Sequence, residues 1–321
     1  MEGLLTALNH RLIRLLIMAI CLAVTQSVAA ERTPLLIFSD QGDAYATLLK
    51  TLEQELKITL ETAYLQQGAL DQEKSLDRTI VAVGTRACEF VIRNAQPSTR
   101  VLCTFLPSQA FTVLSQNHQA SLLFINRQIT ALFMDQPFSR QLILARIIQP
   151  NMTSVGSVFG PSSRVLEADF VRVSTDFGMR PVYTLMNESD NPVRVLTPII
   201  SDSDVFIAIP DSSVFNRTAA KWILYISLRN RIPLIGFSTS YVDAGAVLGI
   251  YSTPTQVGRH TADLIKTMSS SAELPEPQYP QYYTVSVNRT AARTLRLDLP
   301  PLELIEEALR TSELLYDRQK N

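Results

Sequence analysis

Residues 211–300 open with Asp211-Ser-Ser-Val-Phe215 and a helix-like run to Arg231. Ile232-Pro-Leu-Ile-Gly-Phe237 and Asp243-Ala-Gly-Ala-Val-Leu-Gly249 follow, then Gln256-Val-Gly-Arg259, Leu274-Pro-Glu-Pro277 and Thr284-Val-Ser-Val-Asn288. Short apolar runs that end in small or polar turn residues alternate here with helical stretches. A strand buried on both faces reads as such a continuous run, so the pattern predicts a parallel sheet covered by helices.

The same grammar extends toward the N-terminus. Leu35–Phe38, the alternating Ile58–Leu65, Thr79–Gly84, Arg100–Leu106 and Ser121–Ile125 read as strands. Ala44–Leu56, Arg86–Asn94 and Ser108–Gln116 read as helices between them. The series then restarts. Helices at Phe138–Ile148, Ser163–Phe177, Pro192–Ile200 and Asn216–Asn230 interleave with strands at Ser154–Phe159, Pro181–Leu185, Val205–Ile209, Leu234–Phe237 and Val247–Tyr251. Tyr282–Val287 adds a strand and Leu302–Asp317 a closing helix. Two series in one chain of 321 residues, against roughly 100–200 residues for one domain, predict an α/β protein of two Rossmann-like parallel-sheet lobes.

Composition narrows the function. Hydrophobic residues make up 46% and charged residues 18%, which suits a packed globule and not a disordered chain. The formal net charge is -1, and no basic stripe exists to neutralise phosphates, so nucleic acid is not an expected partner.

The N-terminus reads as a secretory signal. Arg11 and Arg14 supply the positive region, Leu12–Val24 is apolar but short for a membrane span, and Ser27-Val-Ala-Ala30 offers small residues for cleavage after Ala29 or Ala30. The mature chain is expected in a periplasm, with no stable membrane span. Of three cysteines, Cys88 and Cys103 would remain. An oxidising compartment lets them pair, but the apolar company of both favours buried free thiols.

Constellations for catalysis are missing from the sequence. His118 and His260 are isolated, and His260 reads as a surface residue of a helix beginning near Thr255. No metal-ligand spacing, Walker loop, Gly-x-Gly-x-x-Gly or nucleophile elbow occurs, so neither an enzyme nor a cofactor is expected.

Binding turns are better supported. Ligands of doubly wound sheets sit beyond the carboxyl ends of the strands, where helix amides are unpaired. Ser39-Asp40-Gln41, Gly84-Thr85-Arg86, Gly160-Pro-Ser162-Ser163 and Pro210-Asp211-Ser212 have that placement. Gly84-Thr85 and Ser162-Ser163 suit an anion, whereas Asp211, after an apolar strand, suits a ligand ammonium. Each turn also reads as a plain helix cap, and Asp211 competes as a cap for the helix near Phe215. Phe237 and Ser238 end the next strand.

Residues 211–300 resemble the substrate-binding proteins of uncharacterised ABC-type transport systems, a family with the type I periplasmic binding protein fold. Asp211-x-x-Val214, Ile232-Pro-Leu-Ile235, Ala244-Gly-Ala246, Val257-Gly-Arg259, Leu274-Pro275 and Val287-Asn288 followed by Ala291-Ala292 carry the likeness. Thr79–Thr85, Arg140-Gln-Leu142 and Pro150-Asn151 extend it over most of the chain. The resemblance implies three crossovers between lobes, with lobe 1 at 31–134 plus 254–278 and lobe 2 at 135–253 plus 279–321. It places Gly84 and Thr85 where the family presents amides to ligand, Asp211 where it fixes the ligand in lobe 2, and Phe237 near the pocket.

Some members of the family are thought to bind aromatic amino acids. Members usually carry Asp-Pro after the fourth strand and Pro-Gly-x-Asn-x-Thr-Gly before the crossover. This chain has Phe105-Leu-Pro-Ser108 and Asn126-Arg-Gln-Ile-Thr-Ala131 instead, so Ser108 enters the candidate pocket. The expected function is capture of a small polar ligand, an amino acid among the candidates, for an ABC permease and ATPase. The alternative is ligand sensing or envelope assembly, with a membrane sensor protein or synthase as partner.

Overall fold

The computed structural model describes residues 32–65, 78–211, 214–215 and 217–320. By its contacts the chain divides into Met1–Thr33 and Pro34–Asn321, and the architecture below is that of the second unit. The signal segment and Cys21 lie outside the described residues.

The first series comprises β1 (Arg32–Phe38), α1 (Asp43–Leu56), β2 (Glu61–Tyr64), β3 (Arg78–Val83), α2 (Thr85–Asn94), β4 (Val101–Leu106), α3 (Ser108–Asn117), α4 (Leu122–Ile125) and β5 (Ile129–Phe133). Its strands order as β2-β1-β3-β4-β5, with parallel registers between β1 and β2, β3 and β4, and β4 and β5. Side chains of β3, β4 and β5 alternate between two buried faces, which is why these strands are mostly apolar, whereas the edge strand β2 (Glu61–Tyr64) has no buried residue. Ile80, Ala82, Val101 and Cys103 pack with Cys88 and Val91 of α2. Val81, Val83 and Leu102 pack on the other face with Leu48 and Leu52 of α1.

The second series comprises α5 (Phe138–Ile148), β6 (Ser154–Phe159), a 3₁₀ turn (Arg164–Leu166), α6 (Glu167–Asp176), β7 (Arg180–Leu185), α7 (Pro192–Ser201), β8 (Val205–Ile207), α8 (Arg217–Asn230), β9 (Leu234–Gly236), α9 (Thr239–Asp243) and β10 (Leu248–Tyr251). After α10 (Pro254–Ser270) come β11 (Thr284–Val287), α11 (Arg289–Thr294) and α12 (Leu302–Lys320). This sheet orders as β11-β10-β9-β8-β6-β7; β11 runs antiparallel to β10, and the other registers are parallel.

Three passages join the sheets. The chain leaves β5 for α5, and returns when α10 lays Val257, Leu264, Ile265 and Met268 on the core beneath β1 and β3. It crosses for the last time between Gln278, bridged to Leu132, and β11. Thr253 and Gln256 form a reciprocal capping box that starts α10 at the middle passage.

Three expectations need correction. Ser121–Ile125 is not a strand: Leu122–Ile125 forms the short helix α4, burying Leu123 and exposing Leu122 and Ile125. A four-residue apolar run has no period long enough to separate helix from strand, and the edge strand is the fully buried Ile129–Phe133.

Cys88 and Cys103 are bonded, with Cα atoms 5.4 Å apart. The helix after β3 packs over the neighbouring strand β4, so the burial that favoured inert thiols is what brings the two sulfurs together. His260 is buried and not a surface residue. Its Nδ1 accepts the Gln281 amide at 3.2 Å in the last passage, and burial lowers its pKa.

Candidate functional site

Both sheets reverse their strand order at one point, between β1 and β3 in the first and between β6 and β8 in the second. Loops on either side of such a reversal diverge and leave a crevice at the carboxyl ends of the strands. In the first sheet that crevice is filled by the protein itself. Ser39 Oγ accepts the Ala87 amide at 2.8 Å, and Arg86 donates to the Ser39 carbonyl at 2.6 Å. Gly84 turns between them at φ +93°, and a Cβ there would lie 2.6 Å from Ser39 Oγ and 2.8 Å from the Tyr45 hydroxyl. Only glycine fits this close approach.

In the second sheet the crevice opens. A cavity of about 880 Å³ lies between loops of the two sheets. Its first wall is Thr85 and Glu89 of α2, Pro107, and the face of α3 that carries Gln109, Val113 and Asn117. Pro161, Ser162, Pro210, Asp211, Phe215 and Phe237 make the facing wall, following β6, β8 and β9.

The sequence-predicted residues divide accordingly. Thr85, Ser162, Asp211 and Phe237 line the cavity together. Gly84, Gly160 and Ser163 sit immediately behind the lining: Gly160 N–H donates to Ser163 Oγ at 2.9 Å. Ser39 binds α2, and the exposed Asp40 accepts from the Gln41 amide at 2.7 Å and lies 3.6 Å from Arg86. Ser108 gives its amide and hydroxyl to Asp135, at 2.7 and 2.5 Å. Ser238 precedes α9 outside the lining.

Asp211 differs from the exposed cleft acid read from the sequence. It is 3% exposed, and Oδ2 accepts the Ser163 amide at 2.8 Å. The residue thereby ties the loop after β8 to the loop after β6. Its carbonyl takes the Phe215 amide at 2.7 Å, so the backbone, and not the carboxylate, receives that amide. Phe237 stands against Tyr241 with ring centroids 4.8 Å apart and meets Phe215 edge-on at 6.3 Å.

The α3 wall, Pro107 and Phe215 were not among the sequence-predicted site residues, whereas Pro161 and Pro210 belong to turns that were. The one available signal for the α3 wall is the stripe Ala110, Val113, Leu114 and Asn117, spaced i, i+3, i+4 and i+7.

Charge is sparse in the cavity. Among the described residues that line it, the ionisable ones are Glu89 and Asp211. Glu89 is held by Arg93 at 2.7 Å, with His118 4.0 Å away. Behind α3, burial pushes the Asp135 carboxyl up to about 6 despite the two hydrogen bonds from Ser108. Largely apolar walls with a few convergent polar groups are the ordinary makeup of a small-molecule site.

Two mostly parallel sheets, three passages and a cleft at the strand ends define a type I periplasmic binding protein architecture. The family of ABC transporter substrate binding proteins matches over residues 77–307, and the chain belongs to it. Its class is therefore substrate binding, with a small-molecule ligand and an ABC permease as the partners the family implies.

Solved structures share the fold. A conserved domain protein from Vibrio cholerae is 19% identical with a TM-score of 0.57, covering 87% of this chain and 98% of that one. CD0873 of Clostridium difficile, a substrate binding protein with adhesive properties in its ligand-free, open form, is 14% identical with a TM-score of 0.61, covering 84% and 96%. An ABC domain from Streptococcus pneumonia in complex with L-Trp is 12% identical with a TM-score of 0.55, also covering 84% and 96%. No curated protein matches the chain. Among the described residues, no helix is long and apolar enough to cross a membrane.

Proposed function

We propose that this chain is an exported receptor that captures a small amphiphilic solute and delivers it to an ABC permease and ATPase. An α-amino acid with an apolar side chain is the ligand that suits the cleft best. The observation that carries the reading is the cavity of about 880 Å³ walled by loops after β3, β4, β6, β8 and β9. Val113, Phe215 and Phe237 favour an apolar body. The first-turn amides of Thr85 and Arg86, without a hydrogen-bond partner among the described residues, suit a carboxylate. Asp211 and Glu89 bring negative potential for an ammonium. The L-Trp carried by the streptococcal neighbour is of the same chemical kind.

Lobes of 31–134 plus 254–278 and 135–253 plus 279–321 would close about the three passages, with ligand contacts biasing the open–closed equilibrium. A signal cleaved near Ala29 or Ala30 and a periplasmic location complete the proposal, and the Cys88–Cys103 bond favours an oxidising compartment.

Thermal-shift screening of the purified mature chain against the amino acids, short peptides and sugars tests the ligand class, because a bound ligand raises apparent stability by mass action. Apolar and aromatic amino acids should raise the midpoint in a dose-dependent way. A response confined to sugars would overturn the amino-acid reading, and no response to any panel member would remove its support.

A further inference from the structure

The first wall of the cleft holds an acceptor that the described chain does not use. Gln109 is 4% exposed and lines the cavity. Its Nε2 donates to the Pro210 carbonyl in the loop after β8, a side-chain bond that spans from one sheet's loops to the other's. A carbonyl only accepts, so this contact fixes the orientation of the amide. Oε1 is then buried, with no hydrogen-bond partner among the described residues. Ser108, one residue earlier, is anchored from behind through its amide and hydroxyl to Asp135, which holds the first turn of α3 where Gln109 meets Pro210.

A buried acceptor without a donor is costly, and here the cost falls on a bond that joins the two walls. The neighbouring chemistry indicates what would relieve it. Asp211 follows Pro210 directly, and Glu89 lines the same cavity, so the local potential favours a cationic donor. We propose that Gln109 Oε1 receives a hydrogen-bond donor of the ligand, an amine N–H, making Gln109 a specificity-determining residue that also links occupancy to lobe closure. The inference rests on the solute-receptor reading above and deepens it.

With an amine in place, both ends of one amide are satisfied and the two bonds polarise each other. A ligand of the same shape without the amine leaves Oε1 unpaired and is rejected, because a site built for a hydrogen bond discriminates strongly against a partner that lacks the donor. Gln109 directly follows Phe105-Leu-Pro-Ser108, where the chain departs from the Asp-Pro pattern of its family.

The test compares the wild-type mature chain with Gln109→Met, which keeps side-chain length but removes the donor and the acceptor. Probes are L-tryptophan and L-leucine beside their deaminated counterparts, 3-indolepropionate and 4-methylpentanoate, measured by calorimetry. Spin labels at the exposed positions Gln119→Cys and Ser240→Cys report the distance between walls in ligand-free protein.

Expected are preference of the wild type for the amines, about 10–100-fold weaker amine binding in Q109M, and a longer or broader label distance in ligand-free Q109M. Equal amine affinity in both proteins overturns the proposal, as does an unchanged label distance. If the wild type binds neither amine, the amino-acid reading fails. Gln109 as an amine acceptor is then overturned as well, because the label distance reads only the bond from Nε2 to the Pro210 carbonyl.

Discussion

Breaking the Cys88–Cys103 bond should lower stability by about 3 kcal/mol. The bond closes a loop of sequence separation 15, and the loop-closure entropy it removes from the unfolded chain is roughly 3 kcal/mol for that length. It ties α2, whose Thr85 and Glu89 line the cleft, to β4, the strand between β3 and β5, so the effect falls on the first sheet and its helices. At roughly 2.1 cal/mol/K of unfolding entropy per residue, the 321 residues give about 0.7 kcal/mol/K, so each kcal/mol moves the thermal midpoint by about 1.5 °C and the fall is about 4–5 °C.

Both cysteines are fully buried, so a reductant in native buffer acts only through opening of the lobe. The protein is therefore unfolded, reduced and refolded under reductant before calorimetry. Oxidised and reduced chains then share every heavy atom, and their difference isolates the cross-link. C88A/C103A should fall further, because it also deletes two buried sulfurs, each comparable to a methylene at roughly 0.8 kcal/mol. Oxidised and reduced midpoints within about 2 °C of each other would refute the reasoning. Peptide mapping that recovered Cys88 and Cys103 unlinked from the unreduced chain would refute it more directly.

Asp211→Ala should lose roughly 1.5–3 kcal/mol, the value of a hydrogen bond to a charged group, through its contact with the Ser163 amide; a midpoint equal to wild type would return Asp211 to a purely ligand-facing role. Asp135 is pushed by burial from an ordinary 3.8 up to about 6, so between those values the native state binds more protons than the unfolded chain. Stability should fall by about 3 kcal/mol as pH rises through that window and stay low above it, and denaturant midpoints of Asp135→Asn should lack this segment of the wild-type profile. His260 acts with the opposite sign. Burial lowers its pKa from 6.5, so the unfolded imidazole takes up protons that the native one refuses, and stability falls as pH drops below about 6.5. His260→Gln should flatten that acid-side loss in the same titration. Gly84→Ala must shift Ser39 and abandon φ +93°; a drop of roughly 1–3 kcal/mol in chemical denaturation is expected for the strained turn, and an unchanged midpoint would exclude the steric argument.

The two sheets were readable because their strands are buried on both faces. Thr79-Ile-Val-Ala-Val83 divides its side chains between two core layers, so all but its first residue are aliphatic, and the next two, Gly84 and Thr85, turn into a helix. Strand ends therefore located the loops around the cleft, and Thr85, Ser162, Asp211 and Phe237 follow from that geometry alone. What failed were features decided by distance in space. Cys88 and Cys103 each looked like ordinary core, and only the packing of α2 over β4 brings them within bonding reach.

The α3 wall shows the limit most clearly. Ala110, Val113, Leu114 and Asn117 have the spacing of any helix stripe that faces a core. In sequence, a stripe that faces a protein core and one that faces a cavity have the same period, because the hydrophobic effect asks only that apolar surface leave water. The sheet reversal between β6 and β8 and the close approach of Gln109 to Pro210 make this stripe a cavity wall, and both join residues at least 45 positions apart. Gln109 carries the distinction physically. A glutamine inside a core is expected to satisfy both ends of its amide, whereas this one, a residue of the cavity lining, leaves its oxygen buried and without a partner among the described residues.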